Sequence, residues 1–96
     1  MSLNRWAKRR DSNAAEIIHA LKTAGVTVEV IDVPCDLLLG FRGRDYLAEI
    51  KTSKGGLSPR QRLFHAKWPH PIPIFRSSDD ALAWVKLKRK SRDKPG

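Results

Sequence analysis

The chain has 96 residues, the length of one domain with a modest core. Nineteen Lys and Arg against ten Asp and Glu give a formal net charge of +9, which points to a polyanionic partner, most simply nucleic acid. A single cysteine excludes an intramolecular disulfide and fits a reducing, cytoplasmic compartment. No apolar run approaches the ~20 residues of a membrane span, and no apolar segment follows the basic N-terminus as in a signal peptide, so we expect no membrane association.

The N-terminal part of the chain is predicted to be a basic arm (1–11) followed by a helix. Lys8, Arg9 and Arg10 are candidate contacts for nucleic-acid phosphates, with a solvated terminus as the alternative. Apolar residues at helical spacing predict a helix over 13–24. Asn13 and Glu16 have the spacing of a capping box, in which the two side chains satisfy backbone donors at the start of the helix.

Three strands are predicted next. Residues 26–33 alternate between apolar and polar and predict the first strand. A leucine run at 37–39 and alternation over 46–51 predict two more, and the glycines between them favour an antiparallel hairpin. A loop centred between Arg42 and Gly43 pairs residues whose numbers sum to 85, which places Asp36 opposite Glu49. A loop of odd length, or a bulge, would turn Asp36 to the other face.

Two carboxylates that face each other across a ladder repel, so this register predicts a cation between Asp36 and Glu49. Lys51 lies two residues beyond Glu49 and shares its face of the strand. A hard divalent metal, Mg²⁺ or Mn²⁺, held by carboxylates beside a lysine, suits phosphoryl chemistry. The three histidines lack the close spacing of a zinc site, so a zinc enzyme is not expected, and Cys35 is expected to line the core.

A second helix is predicted after the loop at 52–57, where Lys54 is a candidate substrate contact. No nucleotide-binding glycine motif is present in this loop, so no nucleotide cofactor is expected. Ser58 and Gln61 have the spacing of a capping box. Alternatively, Gln61 faces a substrate phosphate from the positive start of the helix, together with two further candidate DNA contacts, Arg60 and Arg62. His65 lies one turn later on the same face.

The end of the chain predicts a fourth strand over 71–75, which is paired on one side because Pro71 and Pro73 cannot donate to a ladder. The intervening helix makes this strand parallel to the Glu49 strand. A last helix follows, with Ala81, Leu82 and Val85 directed inward and Trp84 as a further inward candidate, and residues 87–96 form a basic tail. The predicted fold is therefore α/β, with a mixed four-stranded sheet flanked by helices in the order αβββαβα.

The residues Asp36 and Glu49-Ile50-Lys51, on adjacent predicted strands, resemble the D…(D/E)-x-K signature of the PD-(D/E)XK nuclease superfamily. The chain is most similar to the small stand-alone VRR-NUC nucleases of phages and bacteria, over residues 12–86. One departure is that Cys35 stands between Pro34 and Asp36, where the family has proline directly before the aspartate.

The resemblance implies a restriction-endonuclease-like fold and a Mg²⁺- or Mn²⁺-dependent endonuclease that hydrolyses phosphodiester bonds in DNA. It implies that Asp36, Glu49 and the backbone carbonyl of Ile50 hold the metal, and that Lys51 positions or deprotonates the attacking water. Glu16 gains a second interpretation, as a helix residue that contacts the metal, and Gln61 as a catalytic-site residue.

The small relatives also imply a structure-selective homodimer that resembles Holliday junction resolvases. Trp68, at a helix end beside prolines, is a candidate anchor at the dimer centre, with a place over the edge of the core as the alternative. The alternative function is a basic nucleic-acid-binding module that keeps the fold but does not cut.

Overall fold

The computed structural model describes residues 13–90, which form a mixed four-stranded sheet and three helices. The elements in chain order are α1 (Ala14–Thr23), β1 (Thr27–Val30), β2 (Leu37–Phe41), β3 (Arg44–Ile50), α2 (Pro59–Lys67), β4 (Ile74–Phe75) and α3 (Ser78–Lys90). This confirms the predicted small α/β domain with a mixed four-stranded sheet. The predicted DNA contacts Lys8, Arg9 and Arg10 lie outside the described residues.

The β2–β3 hairpin has the predicted register. Its pairs run from Phe41 with Arg44 to Leu37 with Ala48, and the residue numbers of each pair sum to 85. Arg42 and Gly43 form the loop with φ values of 54° and 81°, both in the left-handed region that a two-residue type I′ turn requires. The hairpin therefore places residue 36 beside residue 49, as the sequence predicted.

The sheet order is β1-β2-β3-β4, with β4 parallel to β3 and the other pairs antiparallel. As predicted, the proline-flanked strand β4 pairs with one neighbour. The first strand is shorter than the predicted 26–33, because the chain must reverse between Val30 and Leu37 to enter β2. The N–H of Ile31 donates to the carbonyl of Asp36 at 2.8 Å and closes this turn.

The core lies between the sheet and the helices α1 and α3, which pack against each other. The buried face of α3 is formed by Ala81, Trp84 and Val85. The prediction that Leu82 points inward was wrong: it is 44% exposed, whereas Trp84 is buried and packs against the rings of Phe41, Tyr46 and Phe75.

The helix α3 also extends to Lys90 and so includes residues that the sequence assigned to a tail. Over residues 13–90 we find no helix with the length and apolar character that crossing a membrane requires.

The side chain of Asn13 does not cap α1, so the predicted capping box with Glu16 was wrong. Asn13 already has helical backbone angles, with φ −78° and ψ −8°, whereas a capping residue is normally extended. Its amide Nδ2 instead donates to the carbonyls of Lys51 at 3.1 Å and Arg76 at 2.9 Å. Asn13 therefore ties the start of α1 to the ends of β3 and β4.

We expect Asn13→Ala to lower the free energy of unfolding by about 1–3 kcal/mol, because it leaves two partly buried carbonyls without their donor. Chemical denaturation measures this change. His19→Ala on the same helix is the matched control, since the hydrogen bond between His19 and Thr23 is exposed. Equal stability losses in the two variants would contradict the bridging role of Asn13.

Candidate active site

Two acidic residues are buried together at the end of the β2–β3 hairpin that lies away from its turn. Asp36 is 2% exposed and Glu49 is 1% exposed, and they are the two charged residues that are buried among residues 13–90. Burial of a charge is costly unless the group is paired, coordinated or neutralised. The pair therefore marks the place in the described fold where the cost of burying charge is greatest and must be offset by neighbouring groups.

The two carboxyl groups contact each other and the backbone of β3. Asp36 Oδ2 accepts the N–H of Ile50 at 2.8 Å. Burial, a hydrogen bond to Asp36 and the negative charge of Asp36 together raise the pKa of Glu49 to about 8, although Lys51 and the Cys35 thiol act in the opposite direction. Near neutral pH a proton on Glu49 thus relieves the repulsion that the register predicted.

This proton makes stability depend on pH. The unfolded chain loses it above the ordinary glutamate pKa of 4.5, whereas the folded protein keeps it up to about pH 8. The contribution to stability is therefore complete at acid pH and is lost as the pH rises through 8. In the presence of a chelator we expect the free energy of unfolding to fall between pH 6.5 and 8 by up to about 1.4 kcal/mol per pH unit.

Denaturant titrations at several pH values test this dependence, and Glu49→Gln should remove the slope. Glu29→Gln should keep the slope, since Glu29 is exposed on strand β1. A wild-type protein whose stability is flat over this range would show that Glu49 is ionised in the fold.

Helix α2 holds both oxygens of the Glu49 carboxyl. Gln61 Nε2 donates to Oε2 at 3.1 Å, and His65 Nε2 lies 3.2 Å from Oε1. Gln61 also forms the predicted capping box: its N–H donates to Ser58 Oγ at 3.2 Å and its Oε1 accepts the N–H of Ser58 at 2.9 Å. The capping interpretation is confirmed, and the other end of the same amide contacts the candidate site.

The contacts of α2 with Glu49 matter because α2 contributes no buried residue to the core. Its Leu63 is 73% exposed. The helix is fixed instead by its cap and by the side chains that reach Glu49. The side chains of α2 therefore contact the candidate site through Gln61 and His65, and none of its residues is buried in the core.

Cys35, Glu49 and His65 form a group that could hold a metal ion. One ligand atom from each residue lies within 4.8 Å of the others. Cys35 is buried, as predicted, but its thiol hydrogen-bonds to Glu49, and burial together with the nearby carboxyls raises its pKa to about 12. Burial and the positive charge of Lys51 lower the pKa of His65, which favours the neutral imidazole that binds metals.

Sequence spacing could not reveal this group, since its members come from three separate elements. Cys35 precedes β2, Glu49 lies on β3 and His65 lies on α2. The position of His65 one turn after Gln61 was the one signal available, and it predicted the shared face of the helix.

Lys51 and the backbone of Ile50 complete the site. The positive charge of Lys51 lowers the pKa of both Glu49 and His65, so its ammonium group lies within electrostatic reach of each. The N–H of Ile50 faces Asp36. Because the N–H and C=O of a strand residue point the same way, the Ile50 carbonyl is directed to the Asp36 side of β3.

The remaining predicted site residues among those described are exposed, and no hydrogen bond links them to Asp36 or Glu49 in the described part of the chain. Glu16 is exposed on the first turn of α1, three residues after Asn13, and lies outside the Cys35 group. The basic candidates Lys54, Arg60 and Arg62 are exposed on the loop after β3 and the start of α2.

Arg76 is a positioning residue that sequence reasoning missed. Its Nη1 donates to the carbonyls of Thr52, at 2.7 Å, and Gly55. It thereby holds the loop that follows Lys51. The sequence shows Arg76 as an ordinary basic residue, so no signal could have identified this role.

Comparison of the chain with protein-family models, with curated proteins and with solved structures gave no match in any of the three. The function is therefore inferred from the chemistry of the site.

Proposed function

We propose that this protein is a metal-dependent DNA endonuclease with the restriction-endonuclease-like arrangement of the PD-(D/E)XK superfamily. The observation that carries the proposal is the buried pair of Asp36 and Glu49, with Lys51 directly after strand β3 and within electrostatic reach of Glu49. A purely nucleic-acid-binding protein has no reason to bury two carboxyls where an anionic ligand must approach. The net charge of +9 supports a polyanionic substrate.

The donor set of the pair fits Mg²⁺ or Mn²⁺. These hard cations take carboxylate, carbonyl and water oxygens, which Asp36, Glu49 and the Ile50 carbonyl supply. Glu16 is the further candidate ligand from α1. When bound, the cation supplies Lewis-acid activation of the phosphodiester and of a water molecule.

The chain itself contributes orientation and charge. Gln61 and His65 fix the two oxygens of Glu49, and the N–H of Ile50 fixes Asp36. Lys51 is proposed to position or deprotonate the attacking water and to offset the negative charge that builds up on the phosphate in the transition state. Lys54, Arg60 and Arg62 are proposed to contact the DNA backbone, as are Lys8, Arg9 and Arg10 of the arm.

A cleavage panel tests the proposal directly. Four-way junction, nicked, flapped and linear DNAs are each incubated with Mg²⁺, Mn²⁺ or EDTA. We expect cleavage with either cation and none with EDTA. Absence of cleavage across the panel, with binding intact, would favour the alternative of a non-catalytic basic binding module on the same fold.

The alternative has its own signature. The net charge explains DNA binding whether or not the protein cuts, so both functions predict affinity that falls by about 0.9 log units per tenfold salt for each phosphate contact. In a pure binding module, no cleavage would be seen with the wild type, and Asp36→Asn and Glu49→Gln would alter DNA affinity alone among the functional measurements.

We further propose that the enzyme is a homodimer that resembles junction resolvases, since two symmetric incisions require two copies of one site. Trp68 is 42% exposed and stacks on Phe64 with ring centroids 5.2 Å apart. It lines a largely apolar groove of about 680 Å³, together with Trp84 and Leu87. This groove is the proposed contact between the two copies.

We expect Trp68→Ala to weaken the dimer by about 2 kcal/mol or more, the effect of losing an aromatic anchor. Light scattering over a concentration series, with and without a four-way junction, measures it. Leu63→Ala is the control, because Leu63 is exposed on the same helix and is not part of the groove. A monomer under both conditions that nicks linear duplex as readily as a junction would overturn the resolvase proposal and leave a general nuclease.

A further inference from the structure

We propose that Cys35, Glu49 and His65 form a Zn²⁺ site, and that zinc bound there blocks the hard-metal site by taking Glu49. The zinc site itself is inferred from the geometry of the three side chains. The inhibition by zinc rests on the proposed nuclease function, and it makes Zn²⁺ a regulatory ligand of the nuclease site.

The geometry needs little change to accept zinc. The three ligand atoms lie within 4.8 Å of one another. Zn–S and Zn–N distances near 2.3 and 2.0 Å place two tetrahedral ligands about 3.5 Å apart, so the group must contract by roughly 1 Å. Cys35 and Glu49 are held in the core, while the His65 side chain lies at the rim, 14% exposed. Because α2 buries nothing in the core, His65 can make this movement at little cost.

The donor set distinguishes zinc from magnesium. A thiolate, a carboxylate and an imidazole are a combination that Zn²⁺ binds well, whereas Mg²⁺ prefers oxygen ligands throughout. The charges of the Cys35 thiolate and the Glu49 carboxylate balance the ion. Gln61 donates to one oxygen of Glu49, which is the kind of outer contact that orients a metal-binding carboxylate.

The two metals compete because they share Glu49. Two divalent ions together with Lys51 would outnumber the negative charges of Asp36, Glu49 and Cys35 in a buried site. Such an excess of positive charge is strongly unfavourable at low dielectric. Zinc on Cys35, Glu49 and His65 therefore excludes a magnesium ion on Asp36 and Glu49.

The binding half is tested without any cleavage assay. Co²⁺ is titrated into the full chain as a spectroscopic substitute for Zn²⁺, and the near-ultraviolet band of cobalt–thiolate bonding is recorded. We expect the band in the wild type, its loss in Cys35→Ser, and its displacement by Zn²⁺ but not by Mg²⁺ at equal concentration. A wild type without the band would overturn the site.

His65→Ala is the second variant, and it keeps the test decisive if Cys35→Ser does not fold, which circular dichroism reports. We expect His65→Ala to weaken cobalt binding by at least about tenfold, the scale of losing even an outer metal contact. His19→Ala is the matched control, since His19 is exposed on α1 and lies outside the metal group. Equal cobalt affinity in His65→Ala and His19→Ala would remove His65 from the site.

The regulatory half is tested by adding Zn²⁺ to Mg²⁺-dependent cleavage. We expect inhibition that excess Mg²⁺ relieves, and at least about tenfold more Zn²⁺ for half-inhibition of Cys35→Ser, each variant being scored against its own activity without zinc. Equal zinc sensitivity in the two proteins would overturn the inhibition. A cobalt–thiolate band without cleavage under any condition would instead reject the proposed nuclease and leave the zinc site standing.

Discussion

Replacement of Glu49 by Gln, or of Asp36 by Asn, is expected to lower metal-dependent cleavage by roughly 10³-fold or more and to leave DNA binding unchanged or stronger. Each change removes one of the two carboxylate charges proposed to hold the cation. Each also removes negative charge that repels the phosphate backbone. Loss of cleavage with gain of binding is therefore the expected signature of a metal ligand.

Both variants should fold, because each new side chain reproduces a contact of the one it replaces. An Asn at position 36 can still accept the N–H of Ile50 through its carbonyl oxygen. A Gln at position 49 resembles the protonated Glu49 that predominates near neutral pH and can donate to Asp36 as that proton does. The loss of activity is thus separable from loss of structure.

Single-turnover cleavage at saturating Mg²⁺, together with binding measured in EDTA, tests this prediction. Asp79→Asn and Glu29→Gln are matched controls, since Asp79 is exposed on α3 and Glu29 is exposed on β1. They should keep wild-type cleavage. Full activity of either site variant at saturating Mg²⁺ would remove that residue from the metal site.

The sequence predicted the hairpin and its register because both depend on local chemistry. The residues Arg42 and Gly43 fit a two-residue turn, and such a turn fixes every pair along the ladder. The position of Asp36 beside Glu49 follows from that count alone. The edge position of β4 was equally predictable from the sequence, since prolines restrict where a strand can pair.

The contacts between distant elements could not be predicted in this way. Asn13 has the residue type of a helix cap, yet its amide bridges two carbonyls 38 and 63 residues away. The choice between capping and bridging depends on where β3 and β4 end in space. The group of Cys35, Glu49 and His65 was also unpredictable from the sequence, because its members meet only where α2 lies against the end of the hairpin.

The orientation of α3 explains why Leu82 is exposed, contrary to the prediction. Leu82 and Trp84 both follow the apolar pattern of α3, and the pattern alone assigned Leu82 to the core. The fold places Trp84 there, with its ring 5.0 Å from that of Tyr46 and 6.0 Å from that of Phe75. Leu82 and Trp84 flank the two other buried residues of α3 on opposite sides of the helix. Burial of the larger aromatic side chain removes more apolar area from water, so the helix packs with its Trp84 side inward.

Lys51→Ala is expected to slow the chemical step by roughly 10²- to 10⁴-fold, the range for removal of one group that transfers a proton or stabilises charge. A protonated lysine cannot be a metal ligand. Well above pH 8, where Glu49 has lost its proton, metal affinity should therefore change little, in contrast to Asp36→Asn and Glu49→Gln. This difference separates the role of Lys51 from that of the carboxylates.

The pH of the measurement matters, because Lys51 also lowers the pKa of Glu49. Without Lys51 the carboxyl holds its proton to higher pH, and a proton on Glu49 competes with the cation. Mn²⁺ binding should consequently weaken in Lys51→Ala near neutral pH and recover once the pH is raised well above 8. Calorimetric titrations at both pH values, beside single-turnover cleavage, resolve the two effects.

Lys22→Ala is the matched control for charge, since Lys22 is exposed in the last turn of α1. It should leave both the cleavage rate and the pH dependence of metal binding unchanged. If Mn²⁺ binding to Lys51→Ala stayed lost at high pH, Lys51 would be required to build the metal site. If the cleavage rate of Lys51→Ala matched that of Lys22→Ala, the lysine of the Glu49-Ile50-Lys51 motif would have no part in the chemistry.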